Sequence, residues 1–122
     1  MTDSVLYTQL TNAIAAHGAW KFKLRMAVNK PGGNDLTQKA GDYHNCDFGR
    51  WLGSLSADAR AEPEARDTIA LHAAFHQSAQ RAAQLINQGK TDAALAMLDG
   101  EVNDVSKKLN AAVAKWKMKA RQ

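Results

Sequence analysis

Two histidines one helical turn apart, His72 and His76, are the residues of this 122-residue chain whose spacing most clearly points to chemistry. They lie in the segment 69–76, whose apolar pattern predicts a helix. Side chains at positions i and i+4 project from one helix face, so both imidazoles can reach a common point. This spacing suits a pair of metal ligands, although a His-x-x-x-His pair alone also fits two ordinary helix residues.

Two further residues could complete such a site. His17 falls inside the apolar stripe of a first predicted helix, and Cys46 begins a short apolar segment. A buried imidazole without a partner costs about 1–3 kcal/mol, and one shared cation would satisfy three inward-facing rings together. Three imidazoles and a thiolate suit tetrahedral zinc, although copper(II) binds such donors at least as tightly. The predicted zinc ligands are His17, Cys46, His72 and His76.

A site closed by four protein ligands leaves no position for a water, which argues against hydrolytic catalysis. No glutamate follows His72, as it would in a His-Glu-x-x-His motif. His44 could exchange in as a ligand, but a surface position is the favoured interpretation. A ligating histidine usually needs a hydrogen-bond acceptor, and Asp42, Asp47 and nearby backbone carbonyls are candidates among which the sequence does not choose.

The elements that position these residues are predicted to be helices, because core-type positions recur in steps of four and three. Long helices are expected from Ser4 to about Asn29, from Pro63 to Asn87, and from Thr91 onward, where Gly100 weakens the helix by about 1 kcal/mol without breaking it. The stripes are Leu6, Leu10, Ala13, His17, Trp20, Leu24 and Ala27; Ala65, Ile69, His72, His76, Ala79, Ala83 and Ile86; and Leu95 or Leu98, Val102, Val105, Leu109, Ala112 and Trp116. The predicted fold is all-α, an antiparallel four-helix bundle with three long helices and one short helix, in a single domain over residues 1–122.

Composition bounds the partners and the compartment. No apolar run reaches membrane-spanning length, and the N-terminus lacks a secretory layout, so a cytoplasmic protein is expected. The net charge of +4 comes mainly from the last segment, which contains six cations and begins at its one acidic residue, Asp104. A solvated helix end explains them better than a contact with nucleic acid or an acidic partner. The six are Lys107, Lys108, Lys115, Lys117, Lys119 and Arg121.

Three motifs together resemble the chemoreceptor zinc-binding domain, or CZB domain, in order, residue type and separation. They are His17-x-x-Trp20, Cys46-x-Phe48-Gly49-x-Trp51 and His72-x-x-x-His76. The resemblance covers most of the chain and implies the same four zinc ligands as the stripe argument. It also implies a four-helix bundle, frequently dimeric, of bacterial cytoplasmic proteins.

The resemblance implies a regulatory function. Similar domains are attached to soluble chemotaxis receptors, where they are tied to sensing zinc or oxidants such as hypochlorous acid, and to diguanylate cyclases, where zinc represses activity. This chain shows neither a receptor hairpin nor a cyclase domain, so it is either a free-standing module or an excised domain, and Met1 favours the first. We therefore expect a zinc-binding sensor, not an enzyme, in which zinc loss or oxidation of Cys46 changes the shape of the segment from Asp35 to Leu55. The expected partners are a second copy and a signalling protein acting in trans, with no membrane and no nucleic acid.

Two other functions stay open. A purely structural zinc in an interaction protein would need the same four ligands. A small thiol enzyme would use Cys46 as nucleophile and a histidine as base, but nothing marks an oxyanion hole or an orienting carboxylate. Di-iron and haem bundles are disfavoured, because paired inward glutamates are missing and a single cysteine with scattered histidines does not suggest haem ligation.

Overall fold

The computed structural model describes residues 3–29, 39–42 and 46–120, which are almost entirely helical. The helices in chain order are α1 (Asp3–Ala27), α2 (Asp47–Ser54), α3 (Ala57–Ala61), α4 (Pro63–Asn87), α5 (Thr91–Met97) and α6 (Asn103–Ala120). A π-helical turn, Leu98–Val102, joins α5 directly to α6, and residues 39–41 are also helical. The described residues contain no strand, so the all-α prediction is confirmed.

The helices form an up-down-up-down bundle. Contacts at both ends show that α6 runs antiparallel to α1 and to α4: Lys117 with Tyr7, Arg25 with Asp99, Lys119 with Glu64, and Ser78 with Glu101. The short helix α2 also runs opposite to α4, because Cys46 lies beside His72 while Trp51 lies beside Trp116, nearer the start of α4. Helices α1, α2, α4 and α6 therefore alternate in direction, as the sequence predicted.

The core is built on the predicted stripes of α1 and α4. In α1, Leu10, Ala13, His17 and Leu24 are buried, while the other stripe positions pack against the core from half-buried positions. In α4 the buried face is wider than predicted and includes Phe75, the largest fully buried side chain. The buried residues of α4 are Ala65, Thr68, His72, Phe75, His76, Ser78, Ala79, Ala82, Ala83 and Ile86.

The π-helical turn changes the predicted register of the last helical segment. The buried positions there are Ala94, Leu98, Val102, Ser106, Leu109, Val113, Trp116 and Ala120. Three successive steps of four would carry an α-helix about 120° around its axis, and the wider π turn absorbs this rotation. Ser106 and Val113 therefore take the buried places predicted for Val105 and Ala112, which are half-buried. Gly100 lies in this turn, which continues the helix as predicted.

Local signals fix both ends of α4 and the start of the helix before it. Pro63 starts α4 in its first turn, and Gly89, with φ of 74°, ends it in the left-handed conformation. The connector before α4 forms the additional short helix α3, whose N-cap Ser56 accepts from the Ala59 N–H. No helix in the described part of the chain is long and apolar enough to cross a bilayer.

Candidate metal centre

The structure brings the four predicted ligands into one cluster. The candidate donor atoms, one ring nitrogen from each histidine and Sγ of Cys46, all lie within 4.8 Å of one another. His17 lies in α1, Cys46 is the N-cap residue of α2, and the histidine pair lies in α4. The three imidazoles are 0–2% exposed, whereas Cys46 is half-buried. The three imidazoles are thus shielded from solvent, and Cys46 is the most exposed member of the cluster.

Backbone carbonyls orient two of the imidazoles. Nδ1 of His17 lies 2.7 Å from the carbonyl oxygen of Ala13, and Nδ1 of His76 lies 2.7 Å from that of Ala40. A carbonyl only accepts, so each Nδ1 carries the proton and each Nε2 presents a lone pair to the cluster. A ligating histidine in other proteins is held in the same way.

The two Nε2 atoms are the strongest sign that the cluster fits a cation. Nε2 of His17 and Nε2 of His76 are buried and have no hydrogen-bond partner among the residues described. Each buried unsatisfied nitrogen costs about 1–3 kcal/mol. One divalent cation at the centre of the cluster would satisfy both nitrogens, and the donor set of three imidazoles and one thiolate matches zinc.

Cys46 occupies the N-terminal end of α2. Its backbone is extended, with φ of −73° and ψ of 155°, and its Sγ accepts from the Gly49 N–H at 3.2 Å. The same sulfur lies 3.2 Å from Nε2 of His72. The positive end of the helix dipole and the amide donor both favour a thiolate at this position. The helix cap therefore also aims the sulfur at the histidine pair.

Burial sets the protonation of the cluster. The pKa of His17 is lowered to about 4, mainly by desolvation and secondarily by His76, while the Ala13 carbonyl opposes the shift. Desolvation also lowers the pKa of His76, against the Ala40 carbonyl and Asp42. Both rings are therefore neutral at pH 7, the form that binds a metal.

The thiol responds to burial in the opposite direction. Burial raises the pKa of the Cys46 thiol, and the N–H groups of Gly49 and Phe48 offset only part of that rise. Without a metal the sulfur is therefore protonated at pH 7. Metal binding must displace this proton.

Two phenylalanines pack edge-on against the histidine rings. The Phe75 ring centroid lies 5.1 Å from that of His17 and 5.6 Å from that of His76. The Phe48 centroid lies 5.2 Å from that of His72 and 5.9 Å from that of His17. These rings fix the imidazole planes and exclude water from the inner side of the cluster.

The hydrogen-bond acceptors were only partly predictable. Ala40 belongs to a segment without a clear period in the sequence, and its carbonyl is one of the nearby backbone acceptors that the sequence left open. Asp47, another candidate, pairs at the surface with Arg50. Gly41 permits the segment to approach α4 closely, since a Cβ there would lie 2.5 Å from Cδ of Gln80. His44, the spare histidine, lies outside the described residues.

One comparison with known proteins finds a relationship. The family model of the chemoreceptor zinc-binding domain, CZB, matches residues 17–83. The matched region begins at His17, includes the other three members of the cluster and spans more than half of the chain. No curated protein and no solved structure matches the chain.

Proposed function

The chain belongs to the chemoreceptor zinc-binding domain family, and on that premise we propose that it is a regulatory module with one zinc bound by His17, Cys46, His72 and His76. The family, inferred from three motifs, is confirmed. The observation that carries the ligand assignment is the convergence of four donors from three segments on a cluster with two orphaned imidazole nitrogens. Bound zinc would hold these donors at one point and keep the sulfur as a thiolate.

A sensing function is supported by what the cluster holds in place. The carbonyl of Ala40 contacts His76, and Cys46 contacts His72, so residues 39–42 and the start of α2 are attached to α4 through the cluster. Losing the metal would leave these attachments without their common centre. The segment from Asp35 to Leu55, part of which is described, is therefore the element proposed to change order when the site empties.

The proposal has two inputs. Changing zinc availability alters occupancy, which stabilises the folded state by RT ln(1 + [L]/Kd). Oxidation would act at Cys46, the one half-buried member of the cluster. Hypochlorous acid and the thiolate would give a sulfenic acid and chloride: an S–O bond forms, the O–Cl bond breaks, and two electrons pass from sulfur to chlorine. The sulfenic acid would be a weaker ligand.

The output is proposed to be a change of shape read by a signalling protein in the bacterial cytoplasm, within chemotaxis or cyclic-di-GMP control. Homodimerisation belongs to the same proposal. Both parts are supported by the family resemblance. Sedimentation velocity on zinc-loaded and zinc-free protein would test the second: we expect a dimer of twice the chain mass, and a monomer under both conditions would exclude it.

The first experiment is elemental analysis of protein purified without added metal. We expect one zinc per chain in the native protein. The single variants His17→Gln and His76→Gln should each lose most of this zinc, because each leaves the cluster with three of its four donors. His44→Gln is the matched control, because His44 is not among the proposed ligands. Zinc-free native protein, or equal zinc loss in the control, would contradict the ligand assignment.

The redox input is tested with Cys46→Ala. Hypochlorous acid should release zinc from the native protein, measured with a colorimetric zinc indicator, because the sulfur is the oxidisable ligand. Cys46→Ala, loaded with zinc beforehand, should release none. A chelator added without oxidant provides the control for exchangeable zinc. Equal oxidant-driven release from both proteins would remove the redox input.

A structural zinc is the rival to sensing. A zinc titration in metal buffers, followed by helix content and by sedimentation, separates the two. A sensor should empty and change shape within the range of free zinc found in cells, whereas a structural site should stay filled. Labelling of the thiol before and after chelation addresses the enzyme alternative: a nucleophilic Cys46 would react while zinc is bound, and the proposal expects reaction only after chelation.

A further inference from the structure

Exposed apolar side chains mark a second feature, on the outer surface of the bundle. In the described parts of the chain, the large hydrophobic side chains that stand exposed are on α1 and α6 only: Val5, Phe22, Met26 and Met118. Phe22 and Met118 are each 67% exposed. They flank the outer strip between α1 and α6, which we call the seam and which runs from Tyr7 and Lys117 at one end to Arg25 and Asp99 at the other.

The seam carries a depression near each end. One, of about 350 Å³, is lined by residues that include Lys21 and Phe22 of α1 and Leu98 and Asp99 of the π-helical turn. The other, of about 200 Å³, is lined by Tyr7, Ala114, Lys117 and Met118. Fifteen residues of α1 separate Tyr7 from Phe22, which corresponds to about 22 Å or four helical turns. Each depression combines an exposed apolar side chain with a lysine.

The two helices of the seam carry half of the lysines and arginines of the chain and few of its acidic residues. Their sequences contain eight lysines and arginines against two aspartates, an excess of six, whereas the whole chain has a net charge of +4. The remainder of the chain is therefore slightly acidic. The cations are Lys21, Lys23, Arg25, Lys107, Lys108, Lys115, Lys117 and Lys119.

We propose that the seam is a docking surface for an acidic amphipathic helix of a partner protein. Phe22 and Met118 supply two apolar anchor sites about four helical turns apart, a distance that one helix can span. Lys21 and Lys117, which line the two depressions, select a partner with aspartate and glutamate beside its apolar anchors. The lysines at the depressions flank apolar surface: Lys117 lies over the Tyr7 ring, and Lys21 lines the same depression as Phe22. This arrangement favours an acidic helix over a nucleic acid, which binds mainly through phosphate contacts.

The seam and the metal site share one turn of α1. His17, a proposed zinc ligand, faces the core, and the next residue, Gly18, lines the larger depression on the outer surface. The π-helical turn closes the other side of this depression and is attached to α4 through Glu101, which accepts from Ser78 at 2.7 Å. The inference names the surface through which the proposed module meets its partner, and in that respect it rests on the proposed function.

The test measures binding of a fluorescent synthetic helix of about twenty residues, with leucines four turns apart and flanking glutamates. Anisotropy at low ionic strength should show saturable binding to the zinc-loaded chain. A peptide with lysine in place of every glutamate should bind roughly tenfold more weakly or not at all. Phe22→Ser and Met118→Ser should each weaken binding by about fivefold, since each removes an anchor contact. Both side chains are exposed, and circular dichroism would verify that the variants remain folded.

Val5→Ser is the matched control, because Val5 is an exposed apolar residue of α1 that lies about 100° around the helix from Phe22. It should change binding by less than about twofold. The double variant with Lys21→Glu and Lys117→Glu should reverse the preference and bind the lysine peptide more tightly. This charge reversal tests the seam without removing apolar surface.

Several outcomes would overturn the inference. The first two are a glutamate peptide that shows no saturable binding, and a Val5→Ser variant that weakens peptide binding as much as Phe22→Ser does. A single-stranded oligonucleotide or phosphatidylglycerol vesicles that bind more tightly than the glutamate peptide would identify a different class of partner. A dimer that dissociates in Phe22→Ser would identify a second copy of the chain as the occupant. Zinc content measured on the same samples separates this proposal from the previous one. If zinc-loaded protein does not bind the peptide, only the docking proposal is contradicted. If the protein binds the peptide but never holds zinc, only the proposed zinc module is contradicted.

Discussion

Acid should destabilise the zinc-free protein through the buried imidazole of His17. Desolvation depresses its pKa from the ordinary 6.5 to about 4 in the folded state. As the pH falls, the unfolded chain therefore binds this proton at a higher pH than the folded chain does. The neutral ring contributes its full share of the free energy of unfolding above pH 6.5, and this contribution is lost as the pH falls toward 4. A difference of about 2.5 pKa units corresponds to about 3 kcal/mol over the whole range.

Between pH 7 and pH 5 the effect of histidine protonation on stability can be measured apart from the protonation of Glu64 and Glu101. Hydrogen bonds lower the pKa of Glu64, first from its own backbone N–H and then from Lys119, and lower the pKa of Glu101, first from Ser78 and then from Arg81, so both titrate below this interval. By linkage, His17 alone should cost about 2 kcal/mol of unfolding free energy between pH 7 and pH 5. His76, whose pKa is also lowered by burial, adds to the loss in the same direction.

Urea unfolding with a chelator present, at several pH values between 7 and 5, measures this loss. His17→Gln is the matched variant, because glutamine does not titrate, and its free energy of unfolding should fall by about 2 kcal/mol less than that of the native chain over the same interval. An equal pH dependence in the two proteins would refute the burial argument. A native protein whose stability is constant from pH 7 to pH 5 would refute it as well.

Three further predictions concern the packing around the site and are checked by urea or thermal unfolding. Phe75→Ala should cost about 3–5 kcal/mol, because it empties a fully buried position beside two imidazoles; a cost below 1 kcal/mol would contradict the packing described. Gly89→Ala should destabilise by about 1 kcal/mol, because φ is 74° there, whereas Gly53→Ala in α2 has open space and should stabilise by about 0.5–1 kcal/mol; equal signs would contradict the assigned backbone conformations. Glu101→Gln should cost about 1 kcal/mol, because Ser78 and Arg81 lose a charged acceptor, while Glu62→Gln at the exposed Lys119 pair serves as its control and should change stability by less than about 0.5 kcal/mol.

The bundle and the cluster were largely visible in the sequence, because both depend on periodicity. An imidazole in an apolar stripe must face the core, so the stripes alone placed His17 and the α4 pair on inner faces before any contact was known. Their burial in the structure follows that argument. The placement of Cys46 depended more on its position at the start of a short apolar segment, where it caps α2.

Features that depend on backbone contacts across the fold could not be predicted. The carbonyl of Ala40 accepts from a ring thirty-six residues away, and every residue type offers the same carbonyl. The π-helical turn is set by how the last helix fits against α1 and α4, so Gly100 predicted a weak point but not the change of register that buries Ser106 and Val113. The seam was equally hidden, since Phe22 and Met118 become a shared surface only when α1 and α6 lie antiparallel.

X-ray absorption at the zinc edge tests the central claim most directly, because it reports which atoms surround the metal. On protein purified without added metal, the account predicts a four-coordinate zinc with three nitrogen ligands at about 2.0–2.1 Å and one sulfur at about 2.3 Å. In Cys46→Ala loaded with zinc beforehand, the sulfur shell should disappear while the nitrogen shell persists. A native spectrum without sulfur, or a sulfur shell that survives this substitution, would contradict the account.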